Sequence, residues 1–151
     1  MSVLVRGARV VSGVGLGAVS ALHGMWAAGS HWPARDRSAL AEAVVGNADA
    51  LPSGRSTATV AGVAAAGAIL TAGALGNGKG VVRLRRLTGL ALLTRAAVGG
   101  DVALAVLGLP PAKAPFTSLD NRFYRPLCAV LGLAAMVGSR RRQRPVAASD
   151  A

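Results

Sequence analysis

One cysteine, five aromatic residues and six acids are all that the 151 residues of this chain contain of those types. The single thiol, Cys128, excludes an internal disulfide and a thiolate-rich metal site. The five aromatics, Trp26, Trp32, Phe116, Phe123 and Tyr124, are few for a soluble domain of this length, whose core would carry more large side chains. The six acids are scattered, so no paired-carboxylate site can form. No Ser/His/Asp set falls at one depth, and no His, Cys or acid cluster has metal-ligand spacing. The reading is therefore of a protein that is not an enzyme, with no cofactor, metal or catalytic residue.

What is present instead is four apolar runs, over residues 10–28, 57–75, 87–107 and 123–139. A bilayer core of about 30 Å needs about 20 mostly apolar helical residues, and each run is near that length. The mean hydropathy of +0.48 agrees. Ala, Gly, Val and Leu dominate the runs, as suits helices that associate in lipid through small residues. These features predict an all-α, four-helix integral membrane bundle over residues 1–139, followed by a basic, disordered cytoplasmic tail over 140–151.

The formal charge of +11 admits two readings. Nucleic-acid binders are basic, but here the arginines sit at the ends of apolar runs and form no stripe, so no nucleic-acid partner is expected. Instead the charges set a topology. The N-terminal tail (Arg6, Arg9), the segment between the second and third runs (Lys79, Arg83, Arg85, Arg86) and the C-terminal tail (Arg140, Arg141, Arg142, Arg144) hold ten basic residues. Asp150 is the one acid among them. The other two loops hold six, diluted by Asp36, Glu42, Asp49 and Asp120. Lysine and arginine accumulate on the cytoplasmic side, which places both termini inside a multi-pass cell-membrane protein. All five aromatics fall at the opposite ends of the runs, at an outer headgroup level. A cleaved signal peptide over the first run is the alternative, with Arg6 and Arg9 as its charged region.

Two glycine patterns imitate nucleotide-binding motifs. Gly13, Gly15 and Ala18 fit G-x-G-x-x-A, but no strand or βαβ unit surrounds them, and Gly13 and Gly17 read better as a G-x-x-x-G helix contact. Residues 73–79 fit G-x-x-x-x-G-K, but Gly80 stands where a Ser or Thr should be, and Gly76-Asn77-Gly78 reads as a turn. Residues 36–45 form a short helical candidate capped by Asp36 or Ser38 and stopped at Gly46-Asn47, expected to lie flat on the outer membrane surface. The second run, almost all small residues, is expected at the centre of the bundle. After Pro110-Pro111, a loop over 112–125 leads into the fourth run, whose Pro126 falls in its first turn.

Three intramembrane polar residues call for a reason. Arg95 lies about 12 Å into the third helix. It can snorkel toward the cytoplasmic end beside Arg85 and Arg86, form a structural pair, or serve ligand or ion passage. Asp101 cannot snorkel, and lies about 120° around the axis from Arg95. Its expected partner is His23, at similar depth on the first helix, with Trp26 on the same face as His23. That pair would serve as a structural hydrogen bond or, if wet, as a proton site.

The run Phe116-x-x-x-Asp120-x-x-x-Tyr124-x-Pro126-Leu127-Cys128, with His23-x-x-Trp26, Trp32, Arg95-Ala96 and Gly99-Gly100, resembles a family of small four-span actinobacterial membrane proteins classed as a domain of unknown function. The resemblance extends over residues 23–138, and Arg125 departs from its usual small residue before Pro-Leu-Cys. It implies an architecture and no activity. Trp26, Trp32, Phe116, Asp120, Tyr124, Pro126 and Cys128 are read as an outer cap, with residues 115–128 folded back on the bundle. Phe116 would bury its ring, at about 3 kcal/mol. Asp120 would cap the fourth helix or pair with Arg122 or Arg125, at about 0.3–1 kcal/mol. The favoured function is a structural or accessory membrane protein, held in the lipid bilayer and acting through a homo-oligomer or a membrane partner. The rival is a small transporter or channel-like oligomer using His23, Arg95 and Asp101.

Overall fold

In a computed structural model, described for residues 2–106, 108 and 111–140, every regular element is helical. The order is α1 Val3–Ala27, α2 Arg37–Val45, α3 Gly54–Ala72, α4 Lys79–Val106 and α5 Ala114–Leu119, then a π-helical turn Asp120–Tyr124 and α6 Arg125–Gly138. Two of these, Val3–Ala27 and Lys79–Val106, are long and apolar enough to cross a membrane. The tail expected over 140–151 lies outside the described residues beyond Arg140.

The four longer helices form a ring. Helix α1 packs on α3 and α6, while α4 packs on α6 and more lightly on α3. Helices α1 and α4 therefore sit diagonally. The small-residue run is not central: α3 buries only Ala64, Gly67 and Thr71, and exposes Val60, Val63 and Ile69. Helices α3 and α6 each touch the other three, and α6 makes the larger contact with α4. It crosses α4 where Gly89 meets Gly132, and a Cβ on either glycine would stand 3.0 or 2.9 Å from the other's carbonyl oxygen. Backbones approach that closely only where neither residue has a side chain. Half of the G-x-x-x-G expectation holds, since Gly13 lies against Ala72 while Gly17 faces open space.

Local chemistry set several boundaries. Helix α2 starts where the Asp36 carboxylate accepts from the Ala39 N–H at 2.7 Å, and it stops at Gly46 with φ 73°. Its apolar residues are not free to rest on a membrane surface. Ala41 and Val45 are buried against Leu104 and Phe116. Helix α4 begins at Lys79, ahead of the expected position 87, because straight-chain arginines are good helix formers and carry the helix through the basic segment.

The expected loop before the last run is also helical. Elements α5, the π turn and α6 abut over residues 114–138. A proline inside a helix lacks an N–H and crowds the carbonyl four residues back. Widening the turn ahead of Pro126 relieves this, and the Arg125 N–H reaches back five residues to the Asp120 carbonyl.

At one end of the ring two arginines are buried with no acid against them among the described residues. Arg9 donates from Nε to the Gly138 carbonyl (2.9 Å) and from Nη2 to Asn77 Oδ1 (2.5 Å). Arg85, fully buried, donates to the carbonyls of Leu70 (2.8 Å) and Gly76 (3.1 Å). The Gly138 and Leu70 carbonyls stand in the last turns of α6 and α3, where the macrodipole favours a cation.

Candidate functional site

The site begins as a defect in α4. Gly99 has φ 80° and ψ 179°, a conformation that only glycine adopts readily, and it interrupts the helix after Val98. The interruption frees carbonyls on one side and an N–H on the other. In a low-dielectric interior each would cost free energy if left unpaired. The π turn and the start of α6 supply the partners. Arg125 donates from Nε to the Ala96 carbonyl at 2.8 Å and from Nη2 to the Ala97 carbonyl at 3.0 Å. Asp120 accepts the Gly100 N–H on Oδ2 at 2.7 Å.

The same carboxylate closes an ion pair. Arg95 Nη2 donates to Asp120 Oδ1 at 2.6 Å, with the aspartate side chain 6% and the arginine 26% exposed. A cation thus meets the C-terminal end of the first half of α4, and an anion meets the N-terminal end of its second half. One turn earlier, Phe116 is buried against Gly100, where an added Cβ would run into the ring. The Phe116 and Tyr124 ring centroids are 6.2 Å apart, and the Tyr124 hydroxyl donates to the Ala43 carbonyl of α2 at 3.1 Å. Pro126 is exposed and Cys128 half-buried just beyond. Residues 95–104 of α4, α2 and the π turn thereby form one clamp.

Several expected partners are different in the structure. Arg95 takes the structural pair among its expected readings, with Asp120, and does not turn toward Arg85 and Arg86, which stand nearer the other end of α4. Asp120 pairs with Arg95 and the Gly100 N–H, while Arg125 holds backbone carbonyls and Asn121. Asp101 is exposed. His23 places Nδ1 2.8 Å from the Val19 carbonyl of its own helix and packs against Trp26, with the rings tilted by 56° and 4.9 Å between centroids. With α1 and α4 on a diagonal, the structure does not bring His23 and Asp101 together. Trp26 Nε1 donates to the Trp32 carbonyl at 2.7 Å, and the Trp32 ring is exposed.

The clamp residues that sequence reasoning did not assign were Gly99, Gly100 and Arg125 in these roles. A Gly-Gly pair inside an apolar run was the available signal, since such pairs mark helix breaks. Among the described residues, no three of His, Cys, Asp and Glu come close enough together to hold a metal ion.

Residues 16–135 match the family described as "Protein of unknown function (DUF3995)". The chain belongs to this family. The match takes in the whole clamp, α2 as well as Arg95 through Arg125. No curated protein and no solved structure matches the chain.

Proposed function

We propose that this member of the family is a four-span protein of the cytoplasmic membrane, with both termini inside, and that it acts as a structural or accessory component without catalysis. The two long apolar helices supply two spans. The 19-residue α3, about 28 Å long, and the helical run over 114–138 supply the others. Exposed Val10, Val14, Val63, Ile69, Leu87, Leu90, Val130 and Leu133 surround the ring with apolar side chains. A surface of that extent suits lipid better than water.

The observation that carries the non-catalytic reading is how the inner charges are used. Asp120, Arg125, Arg9 and Arg85 are all engaged with the protein's own backbone at helix ends. They hold a bundle together and leave little to bind a substrate. The transporter reading rests on one group, Arg95 Nη1, which is buried and finds no acceptor among the described residues.

Two measurements test these readings. In proteoliposomes, proton and anion flux should equal that of protein-free vesicles. Flux that exceeds the blank and falls in Arg95→Met or Asp101→Asn would establish transport instead. For topology, Cys128 is replaced by serine and single cysteines are introduced. Cysteines at Ser53 and Ser118 should react with an impermeant maleimide from outside, and one at Gly78 should not. Gly78 serves better than Asn77, whose side chain accepts from Arg9 and Arg85. Outside labelling at 78 overturns the orientation.

A further inference from the structure

The basic residues at the start of α4 divide into two sets. Arg85 points inward and is held by the α3 terminus. Lys79, Arg83 and Arg86 are exposed, and with buried Val82 they line an open depression of about 340 Å³. Among the described residues none of the three meets a carboxylate, the ion pairs being Arg35–Asp36 and Arg95–Asp120. At about 100° per residue the three lie within roughly 60° of arc on one helix face. The same face continues toward the helix middle as exposed Leu90 and Ala97, which fall within that arc. A cluster of unpaired cations therefore gives way, down one continuous stripe, to a bare apolar track.

We propose that this stripe is a binding site for an anionic phospholipid, whose phosphate sits among Lys79, Arg83 and Arg86 and whose acyl chain lies along Leu90 and Ala97. The inference rests on the membrane reading above. The shared chemistry of the head end is a phosphate anion, and the apolar continuation selects a lipid over a free phosphate. Basic clusters at the cytoplasmic surface attract anionic lipids in this way.

The test uses the full chain in phosphatidylcholine nanodiscs titrated with phosphatidylglycerol, with retained lipid counted by native mass spectrometry. Lys79→Gln/Arg83→Gln/Arg86→Gln should lower phosphatidylglycerol affinity roughly tenfold or more, given the attraction contributed by each charge near the surface. Arg35→Gln/Arg37→Gln/Arg55→Gln removes the same charge at the other end of the bundle and should leave affinity within a few-fold. The charge-preserving Lys79→Arg/Arg83→Lys/Arg86→Lys should bind as the parent does, which separates lost charge from lost fold. Excess inorganic phosphate should not displace the lipid. Equal affinity in the first variant, equal loss in the second, loss in the third or displacement by phosphate each overturns the site. Labelling at position 78 in intact cells keeps the two readings apart, since a disc leaves both faces open to the reagent. Lipid selectivity with 78 facing outward refutes the orientation alone, and correct orientation without selectivity refutes the site alone.

Discussion

Replacing Asp120 with alanine is expected to destabilise the protein by about 3–5 kcal/mol, the range for removing one partner of a buried ion pair. The Asp120 carboxylate accepts from both Arg95 and the Gly100 N–H. Its loss leaves a partly exposed guanidinium and a buried helix-end donor without their shared acceptor. The measurement is an unfolding titration in mixed micelles. Arg95→Met should cost less, because the carboxylate would keep the Gly100 N–H. In the Asp120→Ala background, Arg95→Met should restore part of the stability by removing the stranded charge. An Asp120→Ala variant within about 0.5 kcal/mol of the parent, the range of ordinary surface substitutions, would show that the pair does not hold the break in α4. An acid that merely sat at the start of the last helix would cost only about 0.3–1 kcal/mol, so the size of the effect separates the two arrangements.

Why the sequence hid this pair is a matter of range. Features encoded within one turn were legible: the Asp36 cap, the Gly46 stop and the apolar character of α1 and α4. The all-helical fold follows from them. Spacing offered Asp120 only its near neighbours Arg122 and Arg125, while Arg95 stands 25 residues away on another helix. The choice depends on where Gly99 breaks α4, and that break sets a bare N–H opposite the π turn. Periodicity also failed at residues 114–124, because proline signals an ending while a widened turn lets the helix continue through Pro126. The expected His23–Asp101 pair rested on similar depth along two helices. Depth says nothing of azimuth, and a ring that sets α1 and α4 on a diagonal keeps them apart.

Phe116 and Gly100 give the second large effect, and it is a test of shape. Phe116 is 3% exposed, packed with Ala41, Val45 and Leu104. Phe116→Ala should cost about 3–5 kcal/mol for lost burial and the cavity left behind. On the facing helix, a methyl at Gly100 would overlap the Phe116 ring and stand 3.1 Å from Asp120 Cγ. Gly100→Ala should therefore cost about 1–3 kcal/mol, the range for overpacking a filled core. The two penalties have opposite causes, one a void and one an excess, and they occupy the same space. In the Phe116→Ala background the Gly100 methyl meets the vacated ring position, and its cost should fall by about 1–2 kcal/mol, within the coupling range for residues in contact. The remaining crowding against Asp120 keeps the rescue incomplete. Additive penalties, within about 0.5 kcal/mol, would mean that the Phe116 ring does not fill the space over Gly100. The close fit of the π turn against the break in α4 would then be wrong, and the Asp120–Gly100 hydrogen bond would lose the packing that holds it in place.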